Sequence, residues 1–105
     1  MKKLLTQRQA WLLLAKAWRQ AKEEPPGRWS ADVGYGVSYG LCPLINDLFN
    51  ENRISEATFR SMDKKVPRRK REVYAWPLTR AGARARAAFC RRQAAKLVKK
   101  KVKHG

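Results

Sequence analysis

Residues 79–104 read TRAGARARAAFCRRQAAKLVKKKVKH, and their composition predicts one long helix around which the chain is organised. Alanine, arginine, leucine and lysine are strong helix formers, no proline follows Pro77, and Thr79 is suited to cap the first turn. On a helical wheel one side is an apolar stripe: Ala83, Ala87, Cys90, Ala94, Leu97 and Val98, with Phe89 on its flank. Six cations project from the other side: Arg80, Arg84, Arg91, Arg92, Lys96 and Lys99. A helix of this kind is a candidate surface for binding a polyanion.

The charge of the whole chain supports a polyanionic partner. Its 105 residues include 25 Lys and Arg against 8 Asp and Glu, a net charge of +17. Residues 1–52 carry 7 basic and 5 acidic side chains, whereas residues 53–105 carry 18 and 3, so the net charges of the halves are +2 and +15. Such an imbalance predicts attraction to nucleic acid, an anionic membrane surface or an acidic protein. A merely solvated basic face is the alternative.

An amphipathic first helix is predicted from Thr6 to about Lys22, because Thr6 and Gln9 have capping-box spacing. Trp11 and Trp18 lie seven residues apart and nearly superpose on the wheel. They could form a platform for stacking bases, but aromatic residues at helical spacing among alanines favour a place in the core. The breakers in Glu23–Gly27 end this helix.

The segment 27–40 is ambiguous, because Trp29, Tyr35 and Tyr39 alternate with glycines. A flexible loop whose aromatic side chains stack on bases is one interpretation. A packed irregular connection is favoured, with a short extended piece around residues 33–37.

Two shorter helices are predicted next. Ser38 is expected to cap the first, which contains Pro43 in its first turn and runs to about Glu51. Asn52 is a candidate left-handed C-cap, and Ser55 caps a helix from Glu56 to about Lys65. The order of these two helices resembles a helix–turn–helix. The outward positions of the second one, from Glu56 to about Lys65, include two acids, which disfavours a DNA-recognition helix.

A second basic centre follows in residues 64–71, KKVPRRKR, where Pro67 and the charge density predict a loop. Together with Tyr74 and Trp76 it interleaves cations with aromatic side chains, as single-strand and RNA contacts do. Trp76 is expected in the core, whereas Tyr74 could either lie in the core or contact nucleic acid. Within the last helix, Arg86 falls in the apolar half and is expected to pair with Asp47 or Glu51.

Catalysis is not expected. The single histidine, His104, lies near the end of a basic tail, and the sequence contains no catalytic His pairing or metal-ligand spacing. Cys42 and Cys90 are predicted to be reduced and buried, which is typical of a cytosolic protein, with a disulfide as the alternative. Charged residues interrupt the apolar N-terminal run, so no signal peptide or membrane span is expected. No cofactor or metal is predicted.

The chain also resembles small phage-encoded accessory proteins of unassigned function. The resemblance spans about residues 10–95 and rests on four segments: Gly40-Leu41-Cys42, Asn52-Arg53-Ile54-Ser55, Tyr74-Ala-Trp76-Pro77-Leu78-Thr79 and Gly82-x-x-x-Arg86-x-x-Phe89-Cys90-Arg91. The stretch from Trp76-Pro77 to Phe89-Cys90, which includes parts of the last two segments, is the most specific. It implies a bacterial cytoplasm as the setting, and a role in host takeover or counter-defence. Asn52 stands where the resemblance leads us to expect glycine. The last third of the chain is richer in arginine and lysine than the resemblance leads us to expect.

The sequence therefore predicts a mainly α protein: a compact bundle of about four helices with an irregular Gly/aromatic loop and a long basic C-terminal helix. One domain is expected over residues 1–98, followed by a basic tail over 99–105. The predicted function is nucleic-acid binding through phosphates with little sequence specificity. The alternative is an inhibitor that docks its basic face on a host protein such as a nuclease. The predicted contact residues are Lys64, Lys65, Arg68, Arg69, Lys70, Arg71, Tyr74, Arg80, Arg84, Arg91, Arg92, Lys96 and Lys99.

Overall fold

The computed structural model describes residues 3–68 and 79–103 and confirms a mainly α fold. Its elements are α1 (Gln7–Arg19), β1 (Lys22–Glu23), β2 (Trp29–Asp32), β3 (Val37–Ser38), α2 (Leu41–Asn50), α3 (Glu56–Lys65) and α4 (Arg80–Lys103). The two longest helices, α1 and α4, pack on each other, and this pairing forms the centre of the domain.

Helix α1 begins with the predicted capping box. The Gln9 N–H donates to Thr6 Oγ1, and the Thr6 N–H donates to Gln9 Oε1. Its alanine and tryptophan face is buried, and neither Trp11 nor Trp18 exposes more than 1% of its surface. The core interpretation of both tryptophans is thus confirmed. The edge of Trp11 meets the ring of Phe89, 5.7 Å away, which ties α1 to α4.

Two strands of a small antiparallel sheet, β2 and β3, lie in the segment predicted as an irregular connection, whereas β1 occupies residues 22–23, where the first helix was expected to end. β2 pairs with β1 on one side and with β3 on the other. The expected extended piece around residues 33–37 instead contains the turn between β2 and β3. The Asp32 carboxylate accepts hydrogen bonds from Gly34 and Gly36, which lowers the pKa of Asp32. Gly34 adopts a φ of 105°, a conformation that disfavours other residues.

Helix α2 begins later than predicted. Gly40, not Ser38, is its N-cap, because the Ser38 hydroxyl is used locally: it donates to the Gly40 carbonyl and accepts from the Gly40 N–H. At the other end Asn52 has the predicted left-handed conformation, with φ of 58°. Its N–H donates to the Phe49 carbonyl, and the Arg53 N–H donates to the Leu48 carbonyl, which together form a Schellman motif.

Helix α3 packs beside α2 and has the predicted cap, since Ser55 Oγ accepts from the Thr58 N–H. Phe49 and Phe59 stack with centroids 4.7 Å apart and join the two helices. Both cysteines are buried thiols, as predicted: Cys42 lies in α2 and Cys90 in α4.

Helix α4 has the predicted N-cap, because the Gly82 N–H donates to Thr79 Oγ1. Four residues of the predicted stripe are buried: Ala83, Ala87, Cys90 and Ala94. The helix continues to Lys103, so the backbone of residues 99–103, the start of the predicted basic tail, is helical. Lysine is a good helix former, and cations near a helix C-terminus interact favourably with its dipole, so nothing ends the helix at residue 98.

Candidate nucleic-acid interface

Helix α4 separates its residues by face. The small residues that recur every three or four positions pack inward, which turns the intervening cations to solvent. Five side chains that the sequence predicts as contacts are exposed on this helix, and we call them the cationic face: Arg80, Arg84, Arg91, Arg92 and Lys96. Their exposure agrees with the prediction.

Part of the cationic face borders a groove between α4, the end of α1 and β2. We call this site the arginine groove. Its volume is about 560 Å³. The described residues that line it are Arg19, Arg80, Arg84 and Arg91, the rings of Trp18 and Trp29, and Ala21, Ala83 and Ala87. Guanidinium groups thus surround an apolar lining of alanine and indole, and no carboxylate is among these described lining residues.

Arg80 and Trp29 form one wall of the arginine groove. The Arg80 Cζ atom lies 4.4 Å from the centroid of the Trp29 ring, well within the distance of a cation–π contact. This contact joins the first turn of α4 to β2. It holds a guanidinium beside a half-buried aromatic ring, so cation and ring are presented together.

The charges of the arginine groove are not neutralised within the described part of the chain. Between described residues, the only ion pair joins Arg60 to Glu56 on α3, away from the groove. Four neighbouring guanidinium groups repel one another, and an anion that enters relieves that repulsion. The groove and the cationic face are therefore candidate sites for a polyanion.

Arg86 has a different role from its neighbours. It is 1% exposed, and its Cζ lies 5.1 Å from the centroid of the Trp18 ring. The inward position was predicted, but the expected ion pair with Asp47 or Glu51 is absent among the described contacts. Burial raises the pKa of Asp47, as do the nearby charges of Glu51 and Asp32, whereas an arginine partner would lower it. The sequence missed Trp18 as a contact because the two residues are 68 positions apart.

The second basic centre is described in part. Lys64 and Lys65 form the last turn of α3, and Arg68 is exposed beyond it. The Lys65 ammonium donates to Gln7 Oε1, 3.1 Å away, and to Ser61 Oγ, so it also links α3 to α1. Five predicted contacts lie outside the described residues or side chains: Arg69, Lys70, Arg71, Tyr74 and Lys99.

Sequence reasoning missed three residues of the arginine groove. Trp18 was expected only in the core and Trp29 in an irregular connection, and Arg19 is not among the predicted contact residues. The excess of arginine over acid was the only signal for the groove. The sequence has no periodicity that relates the end of α1 to α4, so their meeting is a tertiary feature.

No family model, curated protein or solved structure matches the chain. Within residues 3–68 and 79–103, no group of His, Cys, Asp and Glu side chains is assembled as metal ligands. None of the described helices is long and apolar enough to cross a membrane. What the interface binds is therefore inferred from its own charge and shape.

Proposed function

We propose that this chain binds nucleic acid, mainly through phosphate contacts and with little sequence specificity. The observation that carries this proposal is the cationic face of α4, which no carboxylate among the described residues neutralises and which meets Arg19 of α1 at the arginine groove. Exposed cations dominate the described part of this surface, which supports contact with the phosphate backbone more than with base edges. Resemblance to phage accessory proteins supports an infected bacterial cell as the setting.

The spacing of the groove arginines supports contact with a nucleic-acid strand. Arg80, Arg84 and Arg91 span eleven positions of α4, or roughly 16 Å of helix axis at 1.5 Å per residue. A strand of duplex DNA carries one phosphate per about 3.4 Å of axis, so this length faces about five phosphates. The helix can therefore follow a strand over several nucleotides.

Salt titration tests the proposal. Fluorescence anisotropy with the full chain is measured for labelled single-stranded DNA, duplex DNA and RNA between 50 and 200 mM salt. If about five phosphates are neutralised, duplex affinity falls roughly 500-fold over this range, because each contact contributes about −0.9 to the log–log slope. Weak binding that does not depend on salt, for every ligand, would overturn the proposal.

Charge variants locate the contact surface. Arg84→Gln should reduce the slope for duplex DNA by about 0.9, as one phosphate contact is lost. Arg60→Gln is the matched control, since it removes the same charge but Arg60 is tied to Glu56. We expect its slope to stay close to that of the unchanged chain. Equal losses for both variants would show that net charge, and not the face of α4, carries binding.

A basic face also complements an acidic protein, so a pull-down from bacterial lysate with and without nuclease treatment is the second test. Partners that are lost on nuclease treatment support nucleic-acid binding. A single protein partner that survives the treatment, with no affinity for purified nucleic acid, would replace the proposal with an inhibitor that docks on a host protein.

A further inference from the structure

We propose further that the arginine groove binds one unpaired nucleotide, so that the chain prefers single-stranded nucleic acid to duplex. This inference rests on the proposed function and assigns a specific site within it. It predicts that the base lies against the wall formed by Arg80 and Trp29. The adjoining phosphates would contact Arg19, Arg84 and Arg91.

The lining of the groove matches a nucleotide in its chemistry. A nucleotide combines an apolar aromatic face with an anionic phosphate, and the groove combines the half-buried Trp29 ring with the guanidinium groups of four arginines. The other ring of the lining, Trp18, is buried and forms part of the floor. The described lining residues contain no carboxylate that would repel the phosphate.

The wall of Arg80 and Trp29 offers a π surface that is already in place. Bases stack on both indole rings and guanidinium planes, without regard to sequence, because every base has a π face. The Arg80 guanidinium lies over the Trp29 ring, with 4.4 Å between its Cζ and the ring centroid, so the two groups form one cation–π unit. The base can extend this unit while the neighbouring arginines hold the phosphates.

The size of the site favours a single nucleotide. Its volume of about 560 Å³ lies in the range of roughly 300–1,000 Å³ that is usual for small-ligand sites. Bases in a duplex are stacked on both faces and paired, so only the phosphates of a duplex can reach the groove. A base that is already unpaired enters without the unstacking penalty.

Trp29→Ala tests the inference most directly. Affinity of the full chain is measured by anisotropy at 100 mM salt for a labelled oligothymidylate and for a duplex of equal length. We expect the variant to lose about tenfold in affinity for the single strand, as one stacked base is lost, and less than twofold for the duplex. Tyr35→Ala is the control, because the Tyr35 ring also contacts a guanidinium, that of Arg53, but lies outside the groove.

Two neighbouring arginines provide a test that does not disturb the sheet. Arg91 lines the groove, whereas Arg92 is exposed on the same helix but is not part of the lining. Arg91→Gln should reduce the affinity for the single strand at least threefold more than Arg92→Gln does. The affinity for the duplex should fall to the same extent in both variants. Circular dichroism of each variant checks that the helices are intact.

The outcomes of these experiments distinguish a failure of the groove proposal from a failure of the proposed function. If salt-dependent binding persists, but Trp29→Ala and Arg91→Gln affect single strand and duplex equally, the groove proposal fails and the proposed function stands. The groove proposal also fails if the unchanged chain shows no preference for the single strand. If no nucleic acid binds in a salt-dependent manner, the proposed function itself fails.

Discussion

The guanidinium carbon of Arg86 lies 5.1 Å from the centroid of the Trp18 ring, and both side chains are almost wholly removed from water. The contact joins α4 to α1, the pair of helices that forms the centre of the domain. Its neighbour Arg84, one half-turn away, faces solvent at the arginine groove. One helix therefore packs an arginine on one face and exposes another to solvent on a different face.

Arg86→Ala should reduce stability, whereas Arg84→Ala should reduce binding and leave stability nearly unchanged. The first removes a large buried side chain and is expected to lower the free energy of unfolding by about 2–4 kcal/mol. The second alters an exposed position, so we expect a change within about 0.5 kcal/mol, but weaker binding of nucleic acid. Urea denaturation followed by circular dichroism measures stability, and anisotropy measures affinity at equal folded fractions. Similar destabilisation by both changes would contradict the assigned roles.

Trp11 and Trp18 form a second matched pair. The Trp11 Nε1–H donates to Gln7 Oε1, 3.1 Å away, whereas the buried Trp18 Nε1–H has no hydrogen-bond partner in the described part of the chain. Trp11→Phe loses a hydrogen bond, while Trp18→Phe removes a donor whose burial is uncompensated. We therefore expect Trp11→Phe to lower the free energy of unfolding by about 1–2 kcal/mol more than Trp18→Phe. Equal losses in urea denaturation would argue against this difference.

Asn52 tests the end of α2. Its φ of 58° is left-handed, which asparagine tolerates and alanine does not, so Asn52→Ala should cost about 1–2 kcal/mol of stability. Asn52→Gly should keep the Schellman motif and stay within about 0.5 kcal/mol of the unchanged chain, because glycine adopts this conformation without strain. Thermal unfolding compares the three chains. A tolerated alanine would mean that the motif contributes little.

The helices could be predicted because their signals are local. Thr6, Ser55 and Thr79 all cap as their spacing predicts, since a cap depends on residues three positions apart. The sheet could not, because its strands are two to four residues long and are defined by pairing with one another. Ser38 shows the same limit: its hydroxyl satisfies the backbone of Gly40 and so is not available to cap α2.

Only the part of the site that α4 contributes could be predicted from the sequence. The exposed cations of α4 follow from its periodicity, because the apolar stripe determines which positions face outward. Arg19 and Trp29 reach the same groove through the packing of α1 and β2 on α4, and no spacing in the sequence relates them. Arg86 was correctly placed inward, but its contact with the Trp18 ring was not foreseen, and the expected ion pair with Asp47 or Glu51 does not form among the described residues.

Asp47 makes the stability depend on pH. Burial, followed by the charges of Glu51 and Asp32, raises the pKa of Asp47 in the folded chain above its ordinary value of 3.8. The folded state therefore binds a proton more readily than the unfolded state, and this carboxyl's contribution to stability falls as the pH rises through that range. At pH 7 the ionised carboxylate opposes folding, so Asp47→Asn is expected to raise the melting temperature.

The advantage of Asp47→Asn should shrink as the pH is lowered, because Asp47 is protonated in both states once the pH lies well below 3.8. Thermal unfolding at a series of pH values from 7 to 3 measures the difference from the unchanged chain. Glu24→Gln is the control, since Glu24 is an exposed carboxylate in the turn after β1 and its replacement removes the same charge. If both variants raise the melting temperature equally at pH 7, an effect common to the loss of either carboxylate, and not the local environment of Asp47, would be responsible.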